Sequence, residues 1–207
     1  MKFNNIIIEE QKRIAIDVLK KLGSNNIKAI VAGGAPRNWE FKNPANDIDV
    51  FIESSEDILQ YNIEDIFNIK PKERENLFGT SIFENERFKD VVNKELYKNL
   101  KHVNGVFDAE IDGQKIQFIL FNSVSKNKNE FRNKVFDSFD FGLCKIAYLI
   151  SSSFVETFLS DEFMEDFENK KLTASIDKML IYNNVRSLPR RAAKLKELYP
   201  EFELVIK

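Results

Sequence analysis

The chain has 207 residues and is short of the residue types on which many common sites are built. A single cysteine, Cys144, excludes an internal disulfide and any cysteine zinc cluster, and a single histidine, His102, excludes a multi-histidine metal centre. One Trp and five Tyr stand beside 19 Phe, which says more about core filling than about base stacking. No apolar run of about 18 residues and no signal-peptide pattern occur, so no membrane contact is expected and a cytoplasmic location is. Neither sign of charge dominates: 31 Lys and Arg against 33 Asp and Glu leave a net charge of -2. That balance excludes a chain that coats nucleic acid by bulk charge and leaves only a local basic patch for such contact. No repeat or low-complexity tract interrupts a composition that is 43% hydrophobic.

What is present centres on Ala29 to Glu53. Lys28 to Ala32 reads as a short buried strand, Gly33-Gly34 as a tight turn, and Ala35-Pro36-Arg37 as the first turn of a helix. Glycines there let backbone N–H groups approach a phosphate. Asn43 to Asn46 marks a loop, after which Ile48, Val50 and Ile52 alternate with Asp47, Asp49 and Phe51 in a second strand. Alternation puts Asp47 and Asp49 on one face, close enough to share a divalent cation. The plain alternative is a solvated strand face beside an ordinary turn.

Elsewhere, Ile14, Ala15, Val18, Leu19 and Leu22 form a helical stripe closed by Gly23. A helix is expected from Ser54-Ser55-Glu56-Asp57 to about Phe67, then a charged loop over 71–76, a strand over 77–83 and a helix over 86–100. Asp112-Gly113 is the two-residue turn of a hairpin. Its register sets Asp108 opposite Gln117 and Glu110 opposite Lys115, with Phe107, Ala109, Ile116 and Phe118 on the apolar face. Residues 122–133 read as a loop leading into a helix, residues 136–151 as a buried strand segment, and 154–171 and 176 onward as helical. Asp140 reads as an acid capping a strand end, with a place facing the site as the alternative, and Cys144 reads as a small buried hydrophobe. Arg186, Arg190, Arg191, Lys194 and Lys196 are the one basic concentration.

Gly33-Gly34 followed by Asp47-Ile48-Asp49 resembles the signature of the DNA polymerase beta-like nucleotidyltransferase superfamily, nearest to the head of CCA-adding tRNA nucleotidyltransferases and small viral relatives. The CCA-adding pattern has Arg-Asp after the glycines, where this chain has Arg37-Asn38. The resemblance implies an α/β nucleotidyltransferase fold, with a small mixed β-sheet built near residues 28, 47, 102, 114 and 139 and flanked by helices. Residues 1–153 are then the core and 154–207 a C-terminal helical region packed on it. It also implies transfer of an NMP from an NTP to a hydroxyl acceptor such as an RNA or tRNA 3' end, with pyrophosphate release. Asp47 and Asp49 would hold Mg2+ or Mn2+, Gly33, Gly34 and Arg37 the triphosphate, and Arg186, Arg190 and Arg191 the acceptor or nucleotide. The superfamily's usual third carboxylate falls at Gln117, which brings Asp108, its partner across the hairpin, forward as the substitute catalytic acid. Two other readings share these residues: a degenerate member that binds a nucleotide or protein partner without catalysis, and a nucleotidyltransferase toxin acting on tRNA or protein.

Overall fold

The computed structural model describes residues 2–54, 60–68, 103–151, 154–175 and 188–207. The expected helix start at residues 55–57, the segments over 71–100, His102, Arg186 and residues 176–187 lie outside the described residues. Helix α1 (Lys2–Ser24) buries the whole predicted stripe, together with Ile8. It continues past Gly23 and is ended by Asn26, whose φ of 60° supplies the left-handed turn while the Ile27 N–H returns to the Leu22 carbonyl. Strand β1 (Ala29–Ala32), helix α2 (Gly34–Glu40), strand β2 (Ile48–Ser54) and helix α3 (Gln60–Phe67) follow.

Strands β3 (Val103–Ile111) and β4 (Gln114–Asn122) form the predicted hairpin in the predicted register. Asp112 and Gly113 have φ of 50° and 77°, the positive pair that such a turn requires. Helix α4 (Lys128–Asp137) is capped by Asn127, whose side chain accepts the Glu130 N–H at 3.0 Å. Strands β5 (Ile146–Ser151) and β6 (Phe154–Leu159), helix α5 (Asp161–Asn169), strand β7 (Lys171–Ala174), helix α6 (Leu188–Leu198) and strand β8 (Glu203–Ile206) complete the described chain.

Two expectations are corrected. The apolar run over 136–151 is strand only from Ile146; before that it is the end of α4 and a 3-10 turn at Gly142–Cys144. Its Phe141 and Leu143 are fully buried from irregular backbone, and apolar content alone does not separate that from a strand. Phe154–Leu159, expected to be helical, pairs antiparallel with β5 and is the sixth strand, so the core sheet extends past residue 153. Tertiary pairing with β5 overrides the local pattern there.

The six-stranded sheet has the order β3-β4-β2-β1-β5-β6 and is mixed, with β2 and β4 parallel and the other neighbours antiparallel. One face, carrying Val31, Val50, Ile52, Phe118 and Leu120, packs on α1 and on Trp39 of α2. The other, carrying Ile30, Phe51, Val106, Ile119 and Phe121, packs on Phe131, Val135 and Phe136 of α4. A third cluster joins the 3-10 turn, α5, β7 and α6 through Phe141, Phe163, Leu172 and Leu195, and Phe41 at the end of α2 packs into it. Strands β7 and β8 pair in parallel as a separate two-stranded sheet, an element without a sequence signal.

Candidate active site

The α4 face of the sheet changes character along its length. Asp49, Gln117 and Asp108 are cross-strand partners on β2, β4 and β3, so they form one row on that face. Further along the same strands the face is Phe51, Ile119 and Val106, buried under α4. At the row itself Asp108 is exposed and Asp49 and Gln117 are partly exposed. Strands lie about 4.8 Å apart, so the backbones of Asp49 and Asp108 are roughly 10 Å apart with Gln117 between them. Gln117 Nε2 donates to Asp108 Oδ1 at 2.9 Å and fixes the direction of that carboxylate.

Asp47, expected in the second strand, is corrected to the exposed bend that enters β2, because the strand pairing begins only at Ile48, so alternation along the strand does not place it beside Asp49. The buried Gln11 side chain holds that loop: it donates to the Ala45 carbonyl at 2.7 Å, accepts the Ala45 N–H at 2.9 Å, and accepts Trp39 Nε1 at 3.0 Å. Its Nε2 also donates to Gln114 Oε1 at 2.8 Å, which ties the loop to the hairpin turn. The aspartates therefore sit on a pinned segment.

The carboxyl of Asp49 is desolvated, and burial together with the charge of Asp47 pushes its pKa up to about 7. The positive charges of Arg37 and Lys194 pull the other way, and Asp108 adds a further push upward. Among the described residues none donates a hydrogen bond to Asp49 or forms an ion pair with it. Among them, too, no group of three or more His, Cys, Asp or Glu is gathered as a metal cage. Two adjacent, mutually repelling carboxylates without internal partners nevertheless fit Mg2+, which is held by one or two carboxylates with water and substrate phosphate completing its shell.

The glycine turn is built tightly. Gly33 has φ 85° and ψ -120°, and its N–H donates to the Ile146 carbonyl at 3.1 Å, so that amide is spent on β5. A Cβ on Gly33 would also lie 3.4 Å from the Phe139 ring. Arg37 is only 7% exposed and donates to Tyr199 Oη at 3.2 Å, Cys144 Sγ at 3.1 Å and Asn38 Oδ1 at 3.2 Å. Tyr199 in turn donates to Asn38 Oδ1 at 3.1 Å. All three acceptors are neutral, so the hydrogen bonds of Arg37 with described residues leave its positive charge without an ion-pair partner beside Gly34, and that charge also acts on Asp49. Cys144 is thus a hydrogen-bond acceptor for Arg37 as well as a buried thiol, and its pKa is raised chiefly by burial.

The basic helix divides. Arg191 is taken by Asp140, at 2.7 Å, an ion pair that gives Asp140 a structural role different from strand capping. Arg190 and Lys194 are exposed, and the positive charge of Lys194 acts to lower the Asp49 pKa against the larger push of burial. Lys196 closes α6 by donating to the Pro200 and Phe202 carbonyls at 2.8 and 2.6 Å. Sequence reasoning left Gln11, Asn38 and Tyr199 out of the site; Tyr199 lies 162 residues from Arg37, and no local pattern signals that pairing.

Solved structures with a similar fold exist. The chain is similar to a tRNA-processing enzyme in an apo form, with TM-score 0.61 and 16% identity over 95% of this chain and 44% of that one. It is similar to the Bacillus stearothermophilus CCA-adding enzyme in complex with CTP, with TM-score 0.59 and 15% identity over 93% of this chain and 40% of the other. A CCA-adding enzyme complex with ATP gives TM-score 0.56 and 14% identity over 95% and 39%. The chain therefore has the nucleotidyltransferase fold and spans about two-fifths of the length of these chains. A search of curated proteins by sequence returns no match. The model of a family described as "Gad2: Gabija anti-defense 2 family protein" matches residues 2–170.

Proposed function

Because the chain belongs to the Gabija anti-defense 2 family and has the nucleotidyltransferase fold, we propose that it is a metal-dependent nucleotidyltransferase. It would move an NMP from an NTP to a hydroxyl acceptor such as an RNA or tRNA 3' end. The observation that carries this reading is Asp49: desolvated, pressed by Asp47, and given no partner by the described residues. A carboxylate in that state is satisfied by a cation.

Asp47 and Asp49 would hold Mg2+ or Mn2+, which when bound would offset triphosphate charge and acidify the attacking hydroxyl. Arg37, fixed by Tyr199 and Asn38, supplies a permanent positive field at the glycine turn. Asp108, oriented by Gln117, takes up the proton of the acceptor hydroxyl, directly or through a water. The acceptor oxygen forms its bond to the α-phosphorus as the bond to the leaving pyrophosphate breaks. In an anti-defense family, the transfer would serve to counter Gabija.

Incubation with each labelled NTP, Mg2+ or Mn2+, and pooled RNA or protein tests this reading. Label transfer by the parent and none by Asp49→Ala supports it; transfer by neither ends it. A second reading is favoured by Gln117, because an amide stands directly beside Asp49 where an acid would be a third ligand. On that reading the protein binds a nucleotide or a protein partner without catalysis, and calorimetry would detect nucleotide binding with no transfer.

A further inference from the structure

We infer that Lys194 of α6 is a ligand-binding residue of this site and contacts the phosphate tail of a nucleoside triphosphate, an inference that rests on the nucleotidyltransferase reading. Helix α6 is fixed against the walls of the site at two points. Arg191 pairs with Asp140 at 2.7 Å, next to Phe139, whose ring covers Gly33. Tyr199, just past the helix, exchanges hydrogen bonds with Arg37 and Asn38 at 3.2 and 3.1 Å. Ala192 and Leu195 are buried between those anchors. Lys194 stands one turn from Arg191, on the neighbouring part of the same helix face. Its base is therefore held on a helix tied to Asp140, Arg37 and Asn38.

Other lysines of the C-terminal part are engaged within the chain: Lys145 pairs with Glu162, Lys207 with Glu165, and Lys196 caps the carbonyls after α6. Lys194 is exposed, and no described residue forms an ion pair or hydrogen bond with its ammonium. Its charge is nonetheless felt at the Asp49 carboxyl. The site needs such a cation. A triphosphate brings more negative charge than one divalent cation and the single buried Arg37 offset, and Asp47, Asp49 and Asp108 add their own. Because the helix that carries Lys194 is anchored to Arg37 and Asn38 at one end and to Asp140 at the other, the partner we assign to it is the phosphate chain that would lie beside Arg37 and the glycine turn. A polynucleotide backbone further out is the competing assignment, with the exposed Arg190 as its more natural contact.

Calorimetry with Mg2+ and non-hydrolysable analogues of each NTP tests the inference on the whole chain. Lys194→Gln should weaken binding of the triphosphate about tenfold, leave nucleoside monophosphate binding unchanged, and keep the parent's melting temperature; Lys194→Arg should recover most of the affinity. Equal triphosphate affinity in parent and Lys194→Gln would overturn the role of Lys194 and leave the enzymatic reading standing. Equal weakening of mono- and triphosphate would overturn it too. Loss of binding to an RNA oligonucleotide alone would move Lys194 to the acceptor. A parent that binds no triphosphate would end both readings.

Discussion

Two acids of this chain, Asp166 in α5 and Asp49 in β2, are both held in surroundings that raise their pKa through burial. Asp166 is 1% exposed, and its Oδ2 accepts the N–H groups of Leu143 and Thr173, each at 3.1 Å. The 3-10 turn approaches so closely that a Cβ on Gly142 would lie 2.7 Å from that oxygen. Asp166 thereby knots the turn, α5 and β7 into one unit. Asp49 receives no such donors from the described residues; its neighbours include two further carboxylates. An acid whose needs are met inside the chain holds the fold together. One whose needs are unmet is kept at a cost to stability, and that cost makes sense only if something else meets them.

The sharpest way to break this contrast is at Asp49. Asp49→Asn should lower transfer about a thousandfold or more, since losing a cation ligand forfeits several kcal/mol of transition-state stabilisation, while the fold persists. Turnover equal to the parent's would put Asp49 outside the chemistry. Asp166→Ala should act in the opposite sense. It leaves two buried N–H groups without an acceptor at about 1–3 kcal/mol each, so the urea midpoint should drop steeply. A midpoint within error of the parent's would mean that water replaces the carboxylate.

The sequence carried those parts of the site that depend on local period. The α1 stripe, the alternation from Ile48 to Ile52 that places Asp49, and the Asp112-Gly113 turn each fix geometry within a few residues, and the hairpin register follows pair by pair. The parts it did not carry depend on distant partners. The hydrogen bonds of Arg37 to Tyr199 and Cys144 join it to residues more than a hundred positions away, which no local pattern signals. Nor does the sequence around Arg191 signal its ion pair with Asp140. Strand β6 reads as helix because Phe154 to Thr157 are all exposed, so this edge strand shows no buried alternate face.

Asp108 tests whether the row across three strands works as a unit. If Asp108 accepts the acceptor's proton, Asp108→Asn should slow transfer about a hundredfold with little change in nucleotide affinity. Glu110→Gln, two residues along on the same exposed face, should change little. Equal rates for the Asp108 variant and the parent would leave Asp108 as no more than a partner for Gln117.

The smallest expected effect separates Asp49 from Asp166 without any assay of activity. The Asp49 carboxyl is raised from its ordinary value of 3.8 to about 7 in the folded chain. The native state therefore keeps a proton that the unfolded chain releases between those values, and stability falls as pH rises through that window and stays lower above it. A neutral Asn removes the penalty. Metal-free Asp49→Asn should then melt above the parent at pH 8, with the difference vanishing near pH 4. At about 1.4 kcal/mol per pKa unit, cut by partial exposure and by coupling to Asp47, the gain at pH 8 is roughly 1–2 kcal/mol, or about 2–5 °C. Saturating Mg2+ at pH 8 should narrow the gap, because it stabilises the parent's paired carboxylates and finds one ligand fewer in the variant. If the variant instead melts below the parent by the same amount at both pH values, Asp49 is a structural acid of the Asp166 kind, and the unmet need on which the catalytic reading rests does not exist.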